Sequence, residues 1–155
     1  MAGSVLRPKR LVWLLSYAPL FVWICVIFYL SSESGSVNKT STFIRPFLEF
    51  LFPSATEDSL QNYHAYIRKL AHLSVYGILG ILAARALLNR KYLPWRMLSM
   101  LLCAVVAILD ETNQSFISTR TGSAYDVLID CVGAIVGIAL IWYVNRRYST
   151  RNLHE

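Results

Sequence analysis

The 155-residue sequence contains only three cysteines, Cys25, Cys103 and Cys131, and each lies inside an apolar run. No two of them have the spacing of a metal-binding motif, so a disulfide framework and a cysteine-based zinc site are both excluded. Internal repeats and low-complexity segments are also missing. The basic residues form no patch with interleaved aromatic residues, which argues against a nucleic-acid partner. The cysteines are therefore expected to be packing residues.

Apolar residues are what the sequence has in excess. They make up 55% of the chain, and the mean hydropathy is +0.46. Soluble domains contain about 45–50% apolar residues. We therefore expect one membrane domain over residues 1–155, with the lipid bilayer as its partner and a multi-pass location in the cell membrane. The formal charge of +6 is ascribed to cations in the loops.

Four apolar runs predict membrane-spanning helices at about 11–30, 70–88, 95–116 and 127–144. The first run is 20 residues long without a charge, and a helix of that length covers about 30 Å, the thickness of the hydrocarbon core. Between Pro94 and Asp110 the third run has only 15 residues, about 22 Å of helix, so it is expected to continue past Asp110. The predicted fold is all-α, a four-helix transmembrane bundle.

The positions of the cations predict the orientation of this bundle. Ten of the fifteen lysines and arginines lie in three segments: the N-terminal segment, the connection between the second and third spans, and the C-terminal tail. Four spans place these segments on one side, so both termini are expected in the cytoplasm.

The connection at residues 31–69 is expected outside, and it is too apolar for a free loop. Phenylalanines between 43 and 52 predict an interfacial or re-entrant segment, with Pro46 and Pro53 limiting its helix. Ser54-x-x-Glu57 has the form of a capping box. Apolar and aromatic residues then recur at i, i+3, i+4 and i+7, which indicates a helix that runs into the second span; they are Tyr63, Tyr66, Ile67 and Leu70.

Polar residues recur at helical spacing at the outer ends of three spans. These stripes comprise Lys69, His72 and Tyr76 in the second span, Asp110, Glu111 and Gln114 in the third, and Asp126 and Asp130 in the fourth, with Arg120 on the last connection. An ionisable group at membrane depth costs about 2.5–3.5 kcal/mol, so such groups persist where they pair or line a wet cavity. Simpler roles remain open: Lys69 can snorkel, His72 can bond between helices, and Asp126 can cap a helix.

The same residues carry a resemblance to a known family. The pattern is Lys69-x-x-His72-x-x-x-Tyr76, then Asp110-Glu111-x-x-Gln114-x-Phe116-x-x-x-Arg120-x-x-Ser123-x-x-Asp126, then Asp130-x-x-Gly133-x-x-x-Gly137, after a Ser31-Ser32 pair. It resembles the VanZ-like family of small bacterial membrane proteins over about residues 28–140. Departures are Glu33, Ser118-Thr119 and Asp130, where the family often has Gln, Pro-Gly and Asn. The resemblance implies a link to teicoplanin resistance.

An enzyme acting at the outer leaflet on a lipid-linked or cell-wall precursor, as a hydrolase or transferase, is the first hypothesis. His72, Asp110 and Glu111 are the candidate catalytic residues, because neighbouring carboxylates and a histidine suit acid–base chemistry. The candidate substrate-binding residues are Lys69, Tyr76, Gln114, Arg120, Asp126 and Ser32. No cofactor is assigned, although His72 with Asp110, Glu111 or Asp126 would suit Mg²⁺ or Mn²⁺ as ligands.

Two other functions fit the sequence. A non-enzymatic envelope protein would use the polar cluster to recognise a glycopeptide, a lipid head group or a partner protein. A small proton-coupled carrier would need acids near the membrane midplane, whereas the cluster lies near one face. Gly133 and Gly137 allow close helix packing, either within the chain or in a homodimer.

Overall fold

The computed structural model describes residues 9–32, 37–88, 94–116 and 123–151. These residues form five helices and no strand, which confirms the all-α class. In chain order the helices are α1 Lys9–Ser31, α2 Val37–Leu51, α3 Glu57–Leu87, α4 Trp95–Ser115 and α5 Ala124–Arg151.

The predicted spans correspond to α1, α3, α4 and α5. Three helices are long and apolar enough to cross a membrane, over Leu14–Ser31, Glu57–Leu87 and Ala124–Tyr148. The four spans predicted from the sequence are therefore supported for three helices. α4 is not among the three, and it ends in a polar stretch that includes Asp110 and Glu111.

The segment between α1 and α3 differs from its prediction. α2 is a 15-residue helix that continues through Pro46, so only Pro53, just beyond its end, has the helix-limiting role expected of both prolines. The Pro46 nitrogen has no hydrogen to donate to the backbone carbonyl of the preceding turn. Because Pro46 is exposed, water can donate to that carbonyl instead. Arg45 joins α2 to α3, because its guanidinium pairs with Glu49 at 2.7 Å and with Glu57 at 2.5 Å.

The start of α3 also corrects the predicted capping box. Thr56, not Ser54, is the N-cap, and its side chain accepts a hydrogen bond from the backbone N–H of Ser59 at 3.4 Å. Ser54 lies two residues earlier, in a turn. From Thr56 the helix runs without interruption into the second span, as predicted.

The backbones of α3 and α5 approach each other closely, and glycines make this close approach possible. α3 packs most extensively against α5. A Cβ atom at Gly80 would overlap the backbone carbonyl of Ala134, and one at Gly133 or Gly137 would overlap the backbone of α3. Gly133 and Gly137 therefore pack inside the chain, as the first of their two predicted roles requires.

α1 covers α3 from another side, and the outer surface of the bundle is apolar. The indole N–H of Trp23 donates to the backbone carbonyl of Val75 at 3.0 Å, which ties α1 to α3. Large apolar side chains such as Phe21 on α1, Met97 on α4 and Leu128 on α5 are exposed. Such a surface is what a helical bundle presents to lipid.

Candidate functional site

A cavity of about 200 Å³ lies among α1, α2, α3 and α4. Its walls are apolar, and its polar groups come from α3 and α4 and from Ser31 at the end of α1. The apolar lining residues are Ile27, Leu30, Ile44, Ile67, Ala71 and Val75. The polar ones are Ser31, His64, Arg68, His72, Tyr76, Asp110 and Gln114. We call this cavity the lipid-side pocket.

A chain of hydrogen bonds lines the polar end of this pocket. The Tyr76 hydroxyl donates to Oδ2 of Asp110 at 3.0 Å, and the Gln114 amide donates to the same oxygen at 3.3 Å. Arg68 in turn donates to the Gln114 carbonyl oxygen at 3.4 Å. Asp110 and Gln114 share one helix face, as their spacing predicted, and Tyr76 reaches them from α3.

His72 points to α5 and pairs with Asp130. Its Nδ1 lies 3.2 Å from Oδ1 of Asp130, so an ionised Asp130 accepts a hydrogen bond from Nδ1–H. This bond fixes the ring orientation and leaves Nε2 as the proton-accepting nitrogen of neutral His72. Asp130 is fully buried, whereas the His72 side chain is 20% exposed.

Glu111 faces a different neighbour from Asp110, because successive helical residues point about 100° apart. Its Oε1 accepts a hydrogen bond from the backbone N–H of Ser123 at 2.5 Å. This contact ties the end of α4 to the start of α5. Glu111 does not line the lipid-side pocket, although it is buried close to that end of the bundle.

The remaining predicted binding residues are spread more widely. Lys69 is exposed, and its Nζ lies 5.1 Å from the centre of the Tyr125 ring. Lys69 and Asp126 line a second cavity of about 160 Å³ that also touches Arg68 and His72. The Ser32 hydroxyl donates to the Tyr29 backbone carbonyl at 2.6 Å, so it ends α1, while Ser31 lines the pocket. Arg120 lies outside the described residues.

Two further residues at this site, Arg68 and His64, were not identified from the sequence, and they line the lipid-side pocket. Asp130 was identified in the polar stripe of the fourth span without a role, and it holds His72. Helical spacing could have identified Arg68 and His64, because His64, Arg68, His72 and Tyr76 follow one another at intervals of four. A signal for the role of Asp130 was its position three residues before Gly133, on the turn of α5 that approaches α3.

The site holds more buried carboxyl groups than the described cations pair with. Asp110, Glu111 and Asp130 are 2%, 6% and 0% exposed. In the described part of the chain no lysine or arginine forms an ion pair with any of these three acids. The only such pair there joins His72 to Asp130. Ligand atoms of His72, Asp110 and Asp130 lie within 4.8 Å of one another. This arrangement can hold a cation, and it can move a proton through His72.

Comparison with known proteins supports the family indicated by the motifs. Neither the curated proteins nor the solved structures include a match to this chain. The family model described as VanZ/LLP1 matches residues 16–145. That range contains every described helix in whole or in large part, together with all the polar residues of the site. The chain therefore belongs to the VanZ/LLP1 family.

Proposed function

We propose that this protein is a membrane-embedded enzyme that acts on a lipid-linked, phosphate-bearing envelope precursor, as a hydrolase or transferase. The observation that carries the proposal is the composition of the lipid-side pocket. Its walls are apolar and suit a hydrocarbon chain, while its polar end combines a cation, a histidine and a buried carboxylate. An isoprenoid or acyl chain would lie along Ile27, Leu30 and Val75, with its phosphate at Arg68.

The proposal includes a multi-pass topology with four spans, both termini in the cytoplasm and the polar site at the opposite face. Support for the orientation comes from the far end of the bundle. Arg96 at the start of α4 and Arg146 near the end of α5 each lie 5.7 Å from the centre of the Trp142 ring. Arginines beside an interfacial tryptophan are typical of a cytoplasmic membrane face.

α4 is the fourth span in this topology. Its exposed side is apolar, and Met97 is 72% exposed. Its buried side carries Asp110, Glu111 and Gln114. A helix with an apolar outer face and polar groups turned into a bundle suits a membrane protein whose polar residues serve a site.

In this enzyme His72, Asp110 and Glu111 are the catalytic residues, and Asp130 positions His72. Tyr76 and Gln114 orient Asp110 through their hydrogen bonds. A phosphate at the end of the pocket would accept hydrogen bonds from Arg68, since charged donors bind phosphate strongly. Lys69 and Asp126, which line the second cavity, would guide the substrate in from the water side, and Arg120 keeps the substrate-binding role expected from the sequence.

Binding of a polyprenyl phosphate to the purified full-length protein in lipid nanodiscs tests this assignment. We expect the phosphate to bind more tightly than the neutral alcohol of the same chain length. Arg68→Gln should weaken phosphate binding about tenfold or more, since a hydrogen bond to a charged group contributes about 1.5–3 kcal/mol. Its matched control is Lys69→Gln, the adjacent cation directed at Tyr125, for which the loss should be much smaller. Equal affinity for phosphate and alcohol would contradict the proposal.

Measuring precursor turnover distinguishes an enzyme from a protein that only binds lipid in the same pocket. His72→Gln and Glu111→Gln keep the shape of each side chain, so they should abolish product formation while leaving lipid binding largely intact. The binding alternative has its own support in the exposed phenylalanines of α2, such as Phe50 at 84% exposure, which suit attachment to lipid. If no precursor is turned over but Arg68→Gln still reduces binding, the binding alternative is the better account.

The link to glycopeptide resistance is proposed as a consequence of either activity. Changing or sequestering a cell-wall precursor would alter the target that teicoplanin finds at the cell surface. Expression in a susceptible host should raise the inhibitory concentration of teicoplanin, and Arg68→Gln should reverse this effect at an equal level of membrane protein.

A further inference from the structure

We propose that His72, Asp110 and Asp130 form a binding site for one divalent metal cation, with a preference for Mg²⁺ or Mn²⁺. The three residues belong to three different helices, α3, α4 and α5. One ligand atom from each lies within 4.8 Å of the other two. A single ion placed among them would therefore join the three helices at the polar end of the bundle.

Two carboxylate oxygens at this position have no other bonding partner. Oδ1 of Asp110 and Oδ2 of Asp130 are buried and form no hydrogen bond, while both residues are almost completely enclosed, at 2% and 0% exposure. Buried polar atoms without a partner are rare, because each costs the free energy of its lost hydration. The second oxygen of each carboxylate is already bonded, to Tyr76 and Gln114 in Asp110 and to His72 in Asp130. The unbonded oxygens are thus held in place and available to a cation.

A divalent cation would neutralise the buried carboxylates at this point. Asp110, Glu111 and Asp130 bring three carboxylates into the interior, and in the described ranges their only ionic contact is the pair between His72 and Asp130. Uncompensated buried charges are strongly destabilising. One divalent ion would balance Asp110 and Asp130 together, which a single protonated imidazole cannot do.

The ligand types favour a hard ion. Two carboxylate oxygens and one imidazole nitrogen suit Mn²⁺ and Mg²⁺ better than a thiolate-seeking metal. With metal–ligand bonds of about 2.1 Å, two octahedral ligands lie about 3.0 Å apart when adjacent and about 4.2 Å apart when opposite. The three ligand atoms lie within 4.8 Å of one another, so side-chain rotation that draws them together would complete the coordination. From the sequence, Glu111 and Asp126 were expected as possible ligands beside His72 and Asp110, whereas the structure brings Asp130 into the group instead.

The ion would also define the chemistry of the proposed enzyme, and this part rests on the proposed function. Bound to His72, Asp110 and Asp130, it would attract the phosphate oxygens of a lipid at the end of the pocket. His72 would then serve as a ligand. Glu111, which is not in the group, would remain as the residue that accepts or donates a proton.

Manganese binding by the full-length protein tests the site without any substrate. The protein is treated with a chelator, exchanged into nanodiscs and titrated with Mn²⁺ while the free ion is followed by electron paramagnetic resonance. We expect one Mn²⁺ per chain, displaced by excess Mg²⁺. Asp130→Asn and His72→Gln should each weaken binding by at least about 10–100-fold, the loss that follows even from disturbing groups around a metal ligand.

Asp126→Asn is the matched control, because Asp126 lies one helical turn before Asp130 on α5 and is not in the group; it should bind Mn²⁺ like the unmodified protein. The proposal is overturned if the unmodified protein binds no stoichiometric Mn²⁺, or if Asp126→Asn reduces binding as much as Asp130→Asn. Should Asp130→Asn elute as an aggregate, His72→Gln decides, since its side chain is partly exposed. A positive result here, with no lipid binding, would reject the proposed function and keep the metal site.

Discussion

The contact between α3 and α5 leads to a sharp prediction about two glycines on one helix. A Cβ added at Gly80 would overlap the carbonyl oxygen of Ala134 and lie 3.0 Å from its Cα. A Cβ added at Gly77 would lie 3.6 Å from the carbonyl oxygen of Gly133, which is an ordinary contact. Gly80→Ala must therefore push the helices apart, whereas Gly77→Ala fits the space that exists.

The expected magnitudes follow from this difference. Replacing glycine by alanine in a helix is favourable by about 0.8–1 kcal/mol, and both variants gain this. Overpacking a tight contact costs about 1–3 kcal/mol, and only Gly80→Ala incurs it. The free energies of unfolding should thus differ by about 1–3 kcal/mol, as measured by titration of each purified variant with sodium dodecyl sulfate.

A second readout connects this contact to the site. His72 and Asp130 face each other across the same pair of helices at 3.2 Å, so separating α3 from α5 should weaken Mn²⁺ binding in Gly80→Ala and not in Gly77→Ala. Equal stability of the two alanine variants would refute the close backbone contact.

Two further substitutions test individual hydrogen bonds. Tyr76→Phe removes the buried donor to Asp110 and should lower the free energy of unfolding by about 1–3 kcal/mol; an unchanged unfolding midpoint would mean that the bond is not formed. Thr56→Ala removes the N-cap of α3 and should cost about 1 kcal/mol, while Ser54→Ala should cost almost nothing; the reverse order would restore the capping box expected from the sequence.

Hydropathy predicted the helices of this protein well because membrane helices must satisfy their own backbone and cover it with apolar side chains. The predicted run 11–30 and the observed α1, Lys9–Ser31, agree to within two residues at each end. Proline positions and capping motifs predicted the ends of α2 and the start of α3 less well. Pro46 does not end its helix, and Thr56 rather than Ser54 provides the cap, since competing side chains two residues apart can each serve and only the folded backbone selects one.

The site was predictable in its location and less so in its details. Helical spacing within each span, together with the common outer ends of the spans, predicted that Tyr76, Asp110 and Gln114 lie close together. It also favoured Lys69 over Arg68, although adjacent residues on a helix point about 100° apart and only one of them can face the pocket. Which one does so depends on the rotation of α3 against α1 and α4, and the sequence of α3 does not specify that rotation.

Asp130 shows how the packing of the helices and the chemistry of the site depend on each other. It lies three residues before Gly133, whose missing side chain lets α5 rest on the backbone of α3 beside Leu73. At that separation the carboxylate reaches His72 and is sealed from solvent, and a larger separation would leave room for water around it. The glycines therefore do more than stabilise a helix pair. They make Asp130 a buried carboxyl group with one partner and one oxygen that forms no hydrogen bond, which leaves that oxygen available to the proposed cation. A substitution that loosens the contact should thus reduce metal affinity even when every ligand is still present.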